Sequence, residues 1–200
     1  MARARLMTAL IAPVALVSLS GCGVNSIPTA EEKVNEAWAN VQADYQRRAN
    51  LIPNLVATVQ GAAAQERNVL REVTEARASA TRITLSPDQL SDPEAMRRFQ
   101  EAQSNLSATL IPLQRLQEAY PQLQTNQNFR DLQEQLEGTE NRIRISIRDY
   151  NGAVREYNTR IRTFPDVIGA KLIYGADPKV PFQATAPNAD QAPTVSFETK

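Results

Sequence analysis

Residues 128–165 run NFRDLQEQLEGTENRIRISIRDYNGAVREYNTRIRTFP. Taken in steps of three and four, the stretch gives Phe129, Leu132, Leu136, Thr139, Ile143, Ile147, Tyr150, Val154, Tyr157, Ile161 and Phe164, with Thr139 the one polar residue of the series. Such a stripe is one face of a long amphipathic α-helix, and Pro165 is expected to end it. A strand would need alternation by twos, and that pattern is nearly absent from the chain.

Upstream the same spacing returns twice. From Val34 the series runs Trp38, Val41, Tyr45, Arg48, Ile52, Leu55, Val59, Ala62, Glu66, Val69, Val73 and Ala76, apolar or aromatic at all positions except Arg48 and Glu66. Thr29 offers an N-cap before acidic residues. A continuous helix from about residue 30 to 80 would be roughly 75 Å long at 1.5 Å per residue. Pro53 should kink or break it, because proline has no donor for the carbonyl of Ala49. A second segment opens at Ser86-Pro87 or at Ser91-Asp92-Pro93-Glu94, passes Phe99, Leu106, Leu110 and Leu113, and stops before Pro121, with Pro112 a further point of kinking. A short helix over about 166–174 follows the third segment. Residues 176–200 have no sustained period and are expected to be mostly flexible.

These segments must bury their stripes against one another. The expectation is an all-α protein: an elongated antiparallel helical bundle of three long helices plus a short C-terminal helix, spanning residues 30–175. The chain has only 7 glycines, and most of its 12 prolines lie outside the periodic segments.

The beginning of the chain has a different character. Arg3 and Arg5 precede an apolar stretch from Leu6 to Leu19, and small residues follow. That is the pattern of a cleavable signal peptide over residues 1–21, too short to cross a bilayer and interrupted by Pro13. Leu19-Ser20-Gly21-Cys22 resembles the bacterial lipobox, in which the cysteine thiol takes a diacylglycerol and becomes the first mature residue. Cys22 is the only cysteine, so no disulfide within the chain is possible. One acyl chain holds a protein marginally, whereas two or three anchor it at about 0.8 kcal/mol per buried CH₂. Residues 22–29 then form a tether. In Gram-negative lipoproteins a residue other than Asp after the cysteine, here Gly23, implies passage to the outer membrane. The expected location is thus the cell envelope, membrane-anchored and facing the periplasm.

Basic and acidic residues balance at 22 each, and loss of Arg3 and Arg5 leaves the mature chain slightly negative. Nucleic acid is therefore not an expected partner.

The run Tyr45-Gln46-Arg47-Arg48-Ala49-Asn50-Leu51-Ile52-Pro53-Asn54-Leu55-Val56 resembles the signature of the LemA family. Tyr120-Pro121, Asn128-Phe129, Thr139-Glu140-Asn141, Tyr150-Asn151, Tyr157-Asn158 and Phe164-Pro165 match the C-terminal half of that family in order and spacing. The resemblance covers roughly residues 34–175 and implies a long four-helix bundle, tethered to a membrane at its N-terminus, in a family for which no enzymatic activity is established. Many relatives carry a transmembrane helix where this chain has its lipobox.

Chemistry is scarce in the sequence. There is no histidine, which removes the usual zinc sites, nucleophile–His pairs and the Glu-x-x-His centres of di-metal bundles. Neither an EF-hand loop nor a Gly-rich phosphate loop occurs. No catalytic residue, metal or cofactor is expected. The polar residues that interrupt the stripes are the better candidates. Arg48 and Glu66 lie about 27 Å apart on a straight helix and cannot pair; each is expected to form a buried or half-buried ion pair with another helix, for instance with Glu140. Asn151 and Asn158, seven residues apart and each after a tyrosine, are expected to form interhelical hydrogen bonds. Arg142, Arg144 and Arg148 form a basic strip, read as a solvated face, and Trp38 is read as core.

The functional expectation is a non-enzymatic, lipid-anchored helical module that binds or organises other envelope proteins. The alternative is a structural protein that acts on the membrane by self-assembly or lipid contact.

Overall fold

In the computed structural model, residues 25–183 are described; the expected signal peptide, Cys22 and residues 184–200 lie outside them. Four long helices carry the fold: α1 (Ser26–Ala62), α2 (Arg67–Arg82), α3 (Pro93–Ala119) and α5 (Gln127–Arg160). A 3₁₀ turn (Pro87–Ser91) leads into α3, and a five-residue helix α4 (Pro121–Thr125) joins α3 to α5. Helix α6 (Asp166–Gly169) runs on into a π turn (Ala170–Tyr174). No strand occurs among the described residues.

The first periodic segment is two helices rather than one. The chain leaves helical geometry at Ala63 and folds back, so that α2 lies antiparallel to α1. Two hydrogen bonds mark the reversal: Trp38 Nε1 donates to the Leu85 carbonyl at 3.1 Å and Arg77 Nε to that of Ala49 at 2.7 Å, while Ala63, in the turn, is fully buried. A single 75 Å helix would have left its outer half without a partner, whereas the hairpin buries Leu70, Val73, Ala76 and Ala80 against α1 and α3. The turn escapes the periodicity because its residues, Ala63-Ala64-Gln65-Glu66, are all good helix formers and keep the heptad phase.

Helix α3 then runs alongside α1, and α5 returns antiparallel to it: Asp44 meets Ser146, and Lys33 pairs with Glu156. The topology is up-down-up-down. At the start of α3 the cap is Asp92, whose carboxylate accepts from the Glu94 N–H at 2.9 Å, with Pro93 in the first turn. Asn126 caps α5 in the same way, accepting from Phe129 N at 3.2 Å.

Several boundaries differ from the expected ones. Helix α1 begins at Ser26, so residues 26–29 of the expected tether are helical and Thr29 lies inside, its hydroxyl donating to the Asn25 carbonyl. Helix α5 ends at Arg160, and Phe164 is 80% exposed, off the buried stripe. The tail is not free from residue 176: the segment to Gln183 is extended and packed on the bundle, with Lys179 only 7% exposed.

Neither inner proline ends its helix. Pro53 lies within α1 and Pro112 within α3. At Pro53 the cause of tolerance is visible: the orphaned carbonyl is that of buried Ala49, and the Arg77 guanidinium supplies its missing donor. The proline and the hairpin thus support each other. Arg77→Met is expected to cost about 1–2 kcal/mol by leaving that carbonyl unsatisfied. In a Pro53→Ala background, where residue 53 regains its N–H, the same change should cost clearly less; urea unfolding of the four proteins checks this.

Candidate functional site

The apolar interior is divided in two. One core holds Val34, Trp38, Val41, Tyr45, Phe99, Tyr150 and Tyr157 near the N-terminal end of α1; the other holds Ile52, Leu55, Val59, Leu106, Leu113, Phe129 and Leu136. Between them lies Arg48, on the stripe of α1 and only 1% exposed. Its Nη1 donates to Glu140 Oε1 at 2.8 Å and to Ser107 Oγ at 2.7 Å; its Nη2 donates to the Gln103 side chain at 2.8 Å and the Gln103 carbonyl at 3.2 Å. Gln103 in turn donates to the Ala80 carbonyl at 3.2 Å. One polar layer therefore ties α1, α2, α3 and α5 together.

The layer suits arginine for a physical reason. A guanidinium presents donors in a fixed planar fork, and two of its nitrogens here reach acceptors on different helices. Its carbon sits 5.0 Å from the centre of the Tyr45 ring, which covers it from the side. Burial raises the Tyr45 hydroxyl to about 12, an effect partly opposed by the Arg48 charge. Glu140 is half-exposed, so its carboxylate keeps part of its hydration while neutralising the cation.

Glu66 does not make the expected ion pair among the described residues. It sits in the α1–α2 turn, where its carboxylate accepts from the Tyr120 hydroxyl at 2.7 Å. That bond holds the Tyr120 phenol above its ordinary range. With Gln122 Nε2 donating to the Ala62 carbonyl at 3.1 Å, it ties the hairpin turn to the α3–α4 junction at the far end of the bundle. Arg48 and Glu140 are brought together; Glu66 joins neither.

Asn151 and Asn158 do not bond to another helix. Each grips the extended tail through both ends of its amide. Asn158 accepts from Lys179 N at 2.9 Å and donates to Lys179 O at 2.8 Å; Asn151 accepts from Phe182 N at 2.7 Å and donates to Phe182 O at 2.9 Å. A carboxamide sets N–H donors beside a carbonyl acceptor and so can pair with both groups of an extended residue, whereas a neighbouring helix has already spent its own on itself. The spacings agree as well: seven helical residues rise about 10.5 Å, and three extended residues span about 10 Å. Tyr150 donates to the Val180 carbonyl at 2.8 Å, Val180 N to the Leu90 carbonyl at 2.8 Å, and Lys179 pairs with Glu31 at 2.9 Å. Phe182 packs with Tyr45 and Phe99. Residues 176–183 are a strap over the first core.

Sequence reasoning missed the strap because the segment has no period. The available signal was the repeated Tyr-Asn pair facing a proline-stiffened run, Pro178-Lys179-Val180-Pro181-Phe182. Trp38 is buried at 2%, its ring 5.1 Å from that of Phe99 and 5.2 Å from that of Tyr150. Arg144 reaches Asn141 and Arg148 pairs with Asp149, both at the surface.

Beside the Arg48 layer an open groove of about 510 Å³ is lined by Gln100, Ser104, Glu140, Arg144, Asn151 and Gln183, among others. Its charged groups are committed to structural contacts, and no nucleophile there is paired with a base. Among the described residues no group of three or more His, Cys, Asp or Glu side chains is placed to hold a metal ion, and no helix is long and apolar enough to cross a membrane.

The sequence matches the family model described as the LemA family over residues 37–197, a span that includes the strap as well as all four long helices from Ala37 onward. No curated protein matches it.

Two outcomes are expected. Glu140→Ala strands the buried guanidinium without a counter-charge and should cost about 3 kcal/mol. Adding Arg48→Met should recover part of that loss, so a double-mutant cycle by urea unfolding is expected to show strong coupling. Asn158→Ala removes both amide bonds to Lys179, and the strap should open locally while the bundle persists. Trypsin should then cut after Lys179 much faster than in the unaltered protein, with helical circular dichroism unchanged.

Proposed function

Since this chain belongs to the LemA family, we propose that it is a lipid-anchored envelope lipoprotein whose bundle binds or organises other envelope proteins and performs no chemistry of its own. The observation that carries this reading is the leader ending in Leu19-Ser20-Gly21-Cys22, placed just ahead of the helix that begins at Ser26. Support comes from how the polar residues are spent. The buried cation holds four helices in register, the two asparagines hold the protein's own strap, and Glu66 holds the far turn. Each serves shape. A protein with its polar interior used this way offers partners a rigid surface.

The envelope location follows from the anchor, with the outer membrane its address in a Gram-negative cell. A second reading, action on the membrane itself by lipid contact or self-assembly, draws on apolar side chains exposed at one end of the bundle.

Mass spectrometry of the mature protein from its native membranes is expected to find an N-terminus at Cys22 carrying acyl chains. An unmodified protein that begins elsewhere would end the anchor reading. Proximity crosslinking in intact cells should recover reproducible envelope partners; recovery of none would count against the organising role.

A further inference from the structure

Seven large apolar side chains are well exposed among the described residues, and five of them sit in eleven consecutive positions: Phe164 at 80%, Ile168 at 52%, Leu172 at 80%, Ile173 at 61% and Tyr174 at 41%. Phe164 stands just ahead of α6, Ile168 lies within it, and Leu172, Ile173 and Tyr174 fall in the π turn that follows, so the exposed side chains are gathered on one short stretch of chain. Isolated exposed apolar residues are ordinary, but a contiguous group of this size marks a contact surface.

Its position decides what it contacts. Gly169 packs against Ile27, whose Cδ1 lies 3.5 Å from where a glycine Cβ would point, so α6 sits against the first turn of α1. Asn25, the first described residue, is at this same end, three residues after Cys22. Three residues reach about 10 Å at full extension. A bundle tied to a bilayer by so short a link must bring this end, and no other, to the headgroups. Arg162 and Lys171 are exposed beside the apolar group and in no ion pair among the described residues, which suits a phosphate-bearing surface. Tyr174 has the amphipathic ring favoured at that depth.

We infer that Phe164, Ile168, Leu172 and Ile173 form a lipid-docking foot that seats the base of the bundle in the headgroup layer of the membrane holding Cys22. The inference rests on the anchor reading and adds to it an orientation. Acyl chains alone would fix which end meets the membrane but not the tilt of the bundle. The foot stands the helices upright, with the hairpin turn and α4 farthest from the bilayer. Insertion is shallow, at the depth reached by the apolar face of an interfacial helix, and its effective concentration is high because the tether is short.

The test uses the full-length acylated protein in phosphatidylcholine vesicles with bromine on the upper acyl carbons. Tryptophan is introduced singly by Phe164→Trp, Leu172→Trp or, as a control beside the second core, Ile111→Trp. Buried Trp38 gives a constant background, and circular dichroism checks folding. The emission of Phe164→Trp and Leu172→Trp is expected to be quenched severalfold more than that of Ile111→Trp. Equal, weak quenching at all three sites with acyl chains present on Cys22 would overturn the foot and leave the anchor standing. Absence of lipid on Cys22, read by mass spectrometry of the same preparation, would bring down the anchor and the foot together. Concentration-dependent association that Phe164→Asp abolishes, without quenching, would give the surface to a second copy of the chain and also overturn the inference.

Discussion

A guanidinium buried between two apolar cores is the constraint on which this bundle depends. Removing such an ion from water costs several kcal/mol, which its partners must offset. Arg48 has acceptors on two neighbouring helices and a carboxylate that stays partly hydrated. A slide of α1 by one turn, about 5.4 Å, would push the charge into one core or the other and leave Gln103 and Ser107 facing hydrocarbon. Apolar stripes tolerate such slides poorly but without strong discrimination; a buried charge does not tolerate them at all.

Once the register is fixed, the remaining features take their places. Asn151 and Asn158 come to lie beside the first core with their amides facing outward, two helical turns apart, where an extended segment can meet both. The strap covers aromatic rings that would otherwise line an open seam. At the base, α6 closes against Ile27 and turns its other side outward. The two ends of the molecule thereby acquire different characters. The end that carries Asn25 is apolar at its rim, while the other is closed by Glu66, Tyr120 and Gln122.

The sequence showed the helices more clearly than their connections. The stripe of α5 and the caps of α3 were readable because periodicity and capping are local. So was the need of Arg48 for a carboxylate on another helix, since a charge in an apolar stripe demands a partner. The turn at Ala63 was hidden because alanine and glutamine favour a helix, and only long-range burial overrides that local preference. That the helix would run on past Pro53 was hidden for a related reason: the local cost is real, but Arg77, distant along the chain, meets it. The strap was illegible because an extended segment held by side-chain amides leaves no period, and the foot because exposure depends on where α5 ends. Each failure concerns a contact between segments that no single stretch encodes.

The most direct test of this account is the amide spectrum and hydrogen exchange of the full-length Arg48→Met protein. The account predicts that helix content survives while residues of the polar layer and the strap show more than one set of resonances and faster exchange, as registers compete. A single sharp set with protection equal to that of the unaltered protein would contradict it, and would mean that the apolar stripes alone fix how the helices meet.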